Sequence, residues 1–80
     1  MSTEYTINLN TIDKVKRFVN ISTSLACDDI RLSSGRYIVD GKSILGIFSL
    51  DLSKDITMNL VGNEEEVKEA VDKLEGFMIK

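Results

Sequence analysis

The sequence predicts an α+β protein: an open-faced β-sandwich whose four-stranded antiparallel sheet is covered on one face by three helices, in the order β-α-β-β-α-β-α. Three observations carry that prediction. Apolar and polar residues alternate over short stretches, as they do in strands with one buried face. Between those stretches apolar residues recur at spacings of three and four, which gives a helix one sheet-facing stripe. Capping residues stand where one period gives way to the other.

Tyr5, Ile7 and Leu9 alternate with Thr6 and Asn8 and read as the first strand. Asn10 or Thr11 then offers a helix N-cap, and Asp13 places a carboxylate at the positive end of the helix dipole. Ile12, Val15, Phe18, Val19, Ser22 and Leu25 or Ala26 follow at helical spacing, and Asp28-Asp29 is expected to end that helix. Ile30 and Leu32 open a second strand, Ser33-Ser34-Gly35 reads as a turn, and Tyr37-Ile38-Val39 completes a hairpin.

Asp40-Gly41 is a second turn, and a short helix is expected from about Ile44 to Leu50, in which Ile44, Ile47 and Leu50 can face the core at spacings of three. Ser53-Lys54-Asp55 makes a polar break before Ile56, Met58 and Leu60 alternate as the fourth strand. Asn63 and Glu66 have capping-box spacing. Val67, Ala70, Val71 and Leu74, with Phe77 or Met78, form the stripe of a last helix. A ferredoxin-like arrangement shares a β-α-β-β-α-β core, but a second helix this short is poorly suited to the crossover such a fold needs.

The 80 residues suit one small domain, 1–80, with a thin core and no deep pocket. With 42% hydrophobic and 29% charged residues, the composition is that of an ordinary soluble globular chain. A net charge of -3 argues against nucleic acid as partner, because phosphate backbones demand clustered Lys and Arg. The single cysteine, Cys27, excludes an intrachain disulfide and fits a reducing cytoplasm. Met1–Tyr5 lacks the basic start of a signal peptide, and no apolar stretch approaches the ~20 residues that span a bilayer. A cytoplasmic protein without a membrane partner is expected, as a monomer or weak dimer.

Candidate chemistry is sparse. Glu64-Glu65-Glu66 splay around a helix start and suit its dipole better than a metal. Lys14, Lys16 and Arg17 form a small basic cluster, read as a solvated face ahead of a phosphate site. No metal-ligand spacing, Gly-rich phosphate loop or nucleophile–base pair is present, so no metal, no cofactor and no enzyme are expected.

One segment is specific. Gly41-Lys42-Ser43-Ile44-Leu45-Gly46-Ile47-Phe48-Ser49-Leu50 resembles the K-S-I-M-G-[VL]-M-S-L stretch of HPr, the histidine-containing phosphocarrier of the bacterial sugar phosphotransferase system. Element order and length also resemble HPr over essentially the whole chain. The family's other signature, G-[IV]-H-A-R-P, is degenerate: the equivalent Leu9-Asn10-Thr11-Ile12-Asp13-Lys14-Val15 puts Ile12 near the histidine's place and Lys14 near the arginine's, with no proline.

The chain contains no histidine at all. A phosphocarrier needs a neutral imidazole nitrogen to accept and release a phosphoryl group near neutral pH, and Ile12 offers none. Asp13 could form an acyl phosphate only with metal-binding carboxylates that this sequence does not supply.

The resemblance implies that Ser43 corresponds to the serine phosphorylated by an ATP-dependent HPr kinase in many Gram-positive bacteria. It also implies that Lys42, Leu45, Gly46 and Phe48 lie on the face through which HPr meets that kinase, the phosphotransferase enzymes and a transcriptional regulator. Two alternatives stay open on the residues themselves: Ser43 is a helix cap alone or a cap that is also modified, and Phe48 is a docking residue or core. Three functions compete accordingly. The first is a regulatory docking protein acting through Ser43–Phe48, the second an HPr-fold binding module without phosphorylation, and the third a carrier using another acceptor.

Overall fold

In the computed structural model, which describes residues 2–79, alternation and helical stripe sort the chain into eight elements. They are β1 (Ser2–Ile7), α1 (Ile12–Ser22), β2 (Asp29–Ser34), β3 (Tyr37–Asp40), α2 (Ile44–Phe48), β4 (Ile56–Val61), α3 (Glu64–Leu74) and a closing 3₁₀ turn, Glu75–Phe77. The strands form one sheet in the order β1-β4-β2-β3, with every neighbouring pair antiparallel. Four strands and three helices therefore build the expected α+β open-faced sandwich, and the strand order puts β4 and β2 at its centre.

Register follows from burial. Ile7 lies opposite Ile56, Tyr5 opposite Met58, Ile30 opposite Leu60, and Leu32 opposite both Met58 and Val39. These residues share the helix-covered face, where Ile7, Ile30, Leu32, Ile56, Met58 and Leu60 are buried. A slip of one residue would turn that whole set to solvent, so the pairing is tightly specified. Val15 and Phe18 of α1, Ile47 of α2, and Val67, Ala70 and Leu74 of α3 close the core from above. Phe18 meets Phe77 edge-on, with ring centroids 5.6 Å apart and planes at 82°. That is the favoured geometry for two aromatic rings.

The opposite face is polar. Glu4, Asn59, Arg31 and Asp40 cross the four strands in one row. Arg31 Nε donates to Asp29 Oδ2 at 2.6 Å. Asn59 Oδ1 is buried and has no partner.

Several boundaries differ from the expectation, each for a local reason. β1 stops at Ile7, and Leu9 reaches the core from the loop beyond it. Thr11 is the N-cap of α1, its side chain accepting from the Lys14 N–H at 3.2 Å. Ile12 is not part of the stripe and is 63% exposed. α1 ends at Ser22 and not at Asp28-Asp29. There Thr23 Oγ1 donates to the carbonyls of Val19 and Asn20, and Ser24 Oγ to that of Ile21, so hydroxyls take up the last helical acceptors.

Leu25 is buried past that helix end, and Ala26 is exposed. Ser33 and Ser34 belong to β2, and the hairpin turns on Gly35-Arg36, with Gly35 at φ +59°. Such a two-residue turn favours glycine where φ is positive. α2 ends at Phe48, two residues before the expected Leu50, because Ser49 caps it: its N–H and its Oγ both donate to Gly46 O, at 3.1 and 2.5 Å. The capping box of α3 is present as read, with Glu66 N donating to Asn63 Oδ1 at 2.8 Å and Asn63 N to Glu66 Oε1 at 3.0 Å. Met78 bridges to Ile7, and Ile79 N donates to Thr6 O, which ties the end of the described chain to the outer edge of β1.

Two stability changes are expected. Asn59→Thr removes an unpartnered acceptor and adds a β-branched residue, and should stabilise by about 0.5–1 kcal/mol. On a domain this size that is a rise of roughly 2–8 °C in Tm, readable by thermal circular dichroism. Phe18→Ala should cost about 3–5 kcal/mol, measured as a lower urea midpoint.

Candidate functional site

The corner between α1 and α2 assembles most of the residues singled out by sequence. Gly41 N donates to Ile30 O at 2.7 Å, and a Cβ at Gly41 would sit 2.5 Å from Ile30 Cγ2. Only glycine allows the chain to pass that close to β2. The carbonyl of Gly41 in turn accepts from the buried Ser22 Oγ at 2.8 Å, which pins the last turn of α1 to the start of the α2 segment. Lys42 adds a second tie: its Nζ donates to Leu25 O at 3.4 Å, and its backbone N to Asp40 Oδ1 at 2.8 Å.

Ser43 follows as the N-cap of α2. Its backbone is extended (φ -107°, ψ 110°), and its Oγ accepts from the half-buried Gly46 N–H at 3.1 Å. Beyond it, Ile47 is fully buried while Leu45 is 81%, Phe48 41% and Ile44 36% exposed. The expectation that Ile44 faces the core is corrected here. Ile44 opens the five-residue α2 and stands against solvent, whereas Ile47 and Leu50 at the same spacing are buried. Phe48 lies outside the core cluster, and Leu50, past the helix, is buried instead.

The segment that resembles the family's other signature lies elsewhere. Ile12 begins α1 and Ser22 ends it, so about 15 Å of helix axis separates the Ile12 position from the Gly41–Ser43 corner. Lys14 is half-buried in the first turn, and its backbone N–H serves the Thr11 cap. Arg36 is likewise away from Ser43, at the hairpin tip that faces the end of α2.

Cys27 is buried, with its thiol donating to Glu66 O at 3.4 Å. Burial pushes that thiol above its ordinary range, the Glu66 carboxylate adds to the rise, and Lys42 opposes it. Among the described residues no cluster of His, Cys, Asp and Glu could hold a metal ion, and no helix is long and apolar enough to cross a membrane. Two features were invisible to sequence reasoning: the Ser22–Gly41 bond, which joins residues 19 apart, and the placing of Arg36. Only the polar residue inside the apolar stripe of α1 hinted at the first.

A sheet of order β1-β4-β2-β3, three helices on one face and a serine-capped short helix beside the end of α1 define the class: the open-faced sandwich of the phosphocarriers. The chain matches the family model described as "PTS HPr component phosphorylation site" over residues 13–80, and it belongs to the HPr family of the sugar phosphotransferase system. No curated protein matches it significantly. The family match begins one residue beyond Ile12.

Ser43→Ala should lower stability by about 0.5–2 kcal/mol, whereas Ser43→Asp keeps a capping oxygen and should stay within a few tenths of wild type in urea unfolding. Cys27 sets a pH dependence. A thiol whose folded pKa is raised contributes stability that is complete below its unfolded pKa and is lost as pH climbs through the folded value. The urea midpoint of the wild type should therefore fall more between about pH 8 and 10 than that of Cys27→Ala.

Proposed function

We propose that this HPr-family chain is a regulatory docking protein that acts through the Ser43–Phe48 face and does not relay phosphate through a histidine. The observation that carries the reading is the exposure of Leu45 and Phe48 on a helix whose N-cap is Ser43, in a chain with no imidazole. Large apolar side chains left in water beside a polar corner are the usual mark of a protein-binding patch.

Phosphorylation of Ser43 fits the same corner. A phosphate on Oγ keeps the Gly46 N–H as a donor, and the Lys42 ammonium, held by one long bond to Leu25 O, can turn to meet it. Partners follow the family: an HPr kinase that modifies Ser43, and phosphotransferase enzymes or a transcriptional regulator that read Lys42, Leu45, Gly46 and Phe48. In this reading the chain is one cytoplasmic HPr-like domain and no enzyme, a monomer or weak dimer. Ile12 and Lys14 are remnants of the active loop without a chemical role.

One observation favours a second reading, a binding module without phosphorylation: Ser43 Oγ is already satisfied as a cap. Incubation with an HPr kinase and ATP separates the two. Intact mass should rise by about 80 Da in the wild type and stay unchanged in Ser43→Ala. Unmodified wild-type protein sinks the phosphoserine part. Leu45→Asp and Phe48→Asp should abolish capture of the partner in either reading, so capture that survives both removes the docking face itself.

A further inference from the structure

The tip of the β2–β3 hairpin and the segment after α2 enclose an open groove of about 510 Å³. It is lined by Arg36 and Tyr37 on one side and by Ser49, Leu50, Asp51 and Lys54 on the other. We infer that this groove is a binding site for a small phosphate monoester, held by Arg36 and Lys54 with its organic part against Tyr37.

Charge points to an anion. Two cations face one carboxylate here, on a chain whose net charge is -3. That carboxylate is occupied: Asp51 Oδ1 accepts from Ser53 N at 3.1 Å and Ser53 Oγ at 2.6 Å, and Lys54 Nζ stands 4.0 Å from Oδ2. These bonds hold the Asp51 carboxyl below its usual range, so it stays ionised and directed at its own loop. Arg36 has no hydrogen-bond or ion-pair partner among the described residues. A planar guanidinium with all its donors open matches phosphate oxygens two at a time.

The negative end of α2 does not compete for those cations. Ser49 N and Oγ already serve Gly46 O, and Leu50 N serves Ile47 O. Tyr37, 67% exposed, presents a ring and a hydroxyl, and the groove has the volume of a small-molecule site. The groove lies at the Ser49 end of α2, and the Ser43 cap at the other.

Titration of the full ¹⁵N-labelled chain with phenyl phosphate, followed by amide shifts, tests the assignment. Saturable shifts should centre on Ser34–Tyr37 and Ser49–Lys54, and inorganic phosphate should bind the same residues more weakly. Arg36→Gln should weaken phenyl phosphate about tenfold or more, the worth of a hydrogen bond to a charged group. Lys54→Gln should weaken it by a smaller factor, and Tyr37→Ala should reduce its affinity to that of inorganic phosphate. Because these side chains are exposed, spectra of the variants elsewhere should be unchanged, which keeps folding out of the comparison. Shifts that do not saturate, that centre on Ser43, that survive Arg36→Gln at full affinity, or that phenol reproduces would overturn the proposal.

Discussion

Strand β4 is bonded on both sides, to β1 and to β2, and its core-facing residues Ile56, Met58 and Leu60 are all fully buried. The rest of the architecture depends on that insertion. The chain must leave β3 at the sheet's free edge and return to the middle, between two strands already made. It does so through the short α2 and the 49–55 segment. A helix that short cannot bury its apolar side chains on both flanks. Ile47 goes inward, and Leu45 and Phe48 are left outside. The candidate docking patch is thus a consequence of how the central strand is reached.

The same return path creates two polar corners, one at each end of α2. At its start, Gly41 presses against Ile30 and hands its carbonyl to the buried Ser22 hydroxyl. Ser22 Oγ also reaches Val19 O at 3.2 Å within its own helix, and the shorter bond to Gly41 O is the one that joins the end of α1 to the α2 segment. At its end, the Ser49 cap and the Asp51–Ser53 turn shape the segment that lines a groove with the hairpin tip. The first corner is tied by buried bonds and the second by exposed ones, so the two differ in rigidity.

Much of this could be read from the sequence, and what could not has physical causes. The capping box of Asn63 and Glu66 is a local device with a fixed spacing, and it stands where the residues placed it. The buried stripes of α1 and α3 and the alternation in β4 were legible because a single period runs long enough to define a face. Boundaries failed where side chains replace backbone partners: Thr23 and Ser24 close α1 early, and Ser49 closes α2 early. Ile44 was misplaced because it is the first residue of the helix and borders solvent, while Ile47 and Leu50 at the same spacing do reach the core. At the site, Ser43 as a cap was visible, whereas the Lys42–Leu25 and Ser22–Gly41 contacts needed the third dimension.

The geometry also bears on how a member of this family can lack its histidine and keep its fold. The start of α1 requires only an N-cap, and Thr11 supplies one through the Lys14 N–H without histidine, arginine or proline. The far end of α1 is held by Ser22, and that bond shares no atom with the loop. Among the described residues, no bond of the Gly41–Ser43 corner reaches the segment before residue 13, where the family match begins, so that corner keeps its anchors whatever the segment carries. The segment before residue 13 and the bonds that hold the start of α2 are therefore not coupled to each other in this architecture.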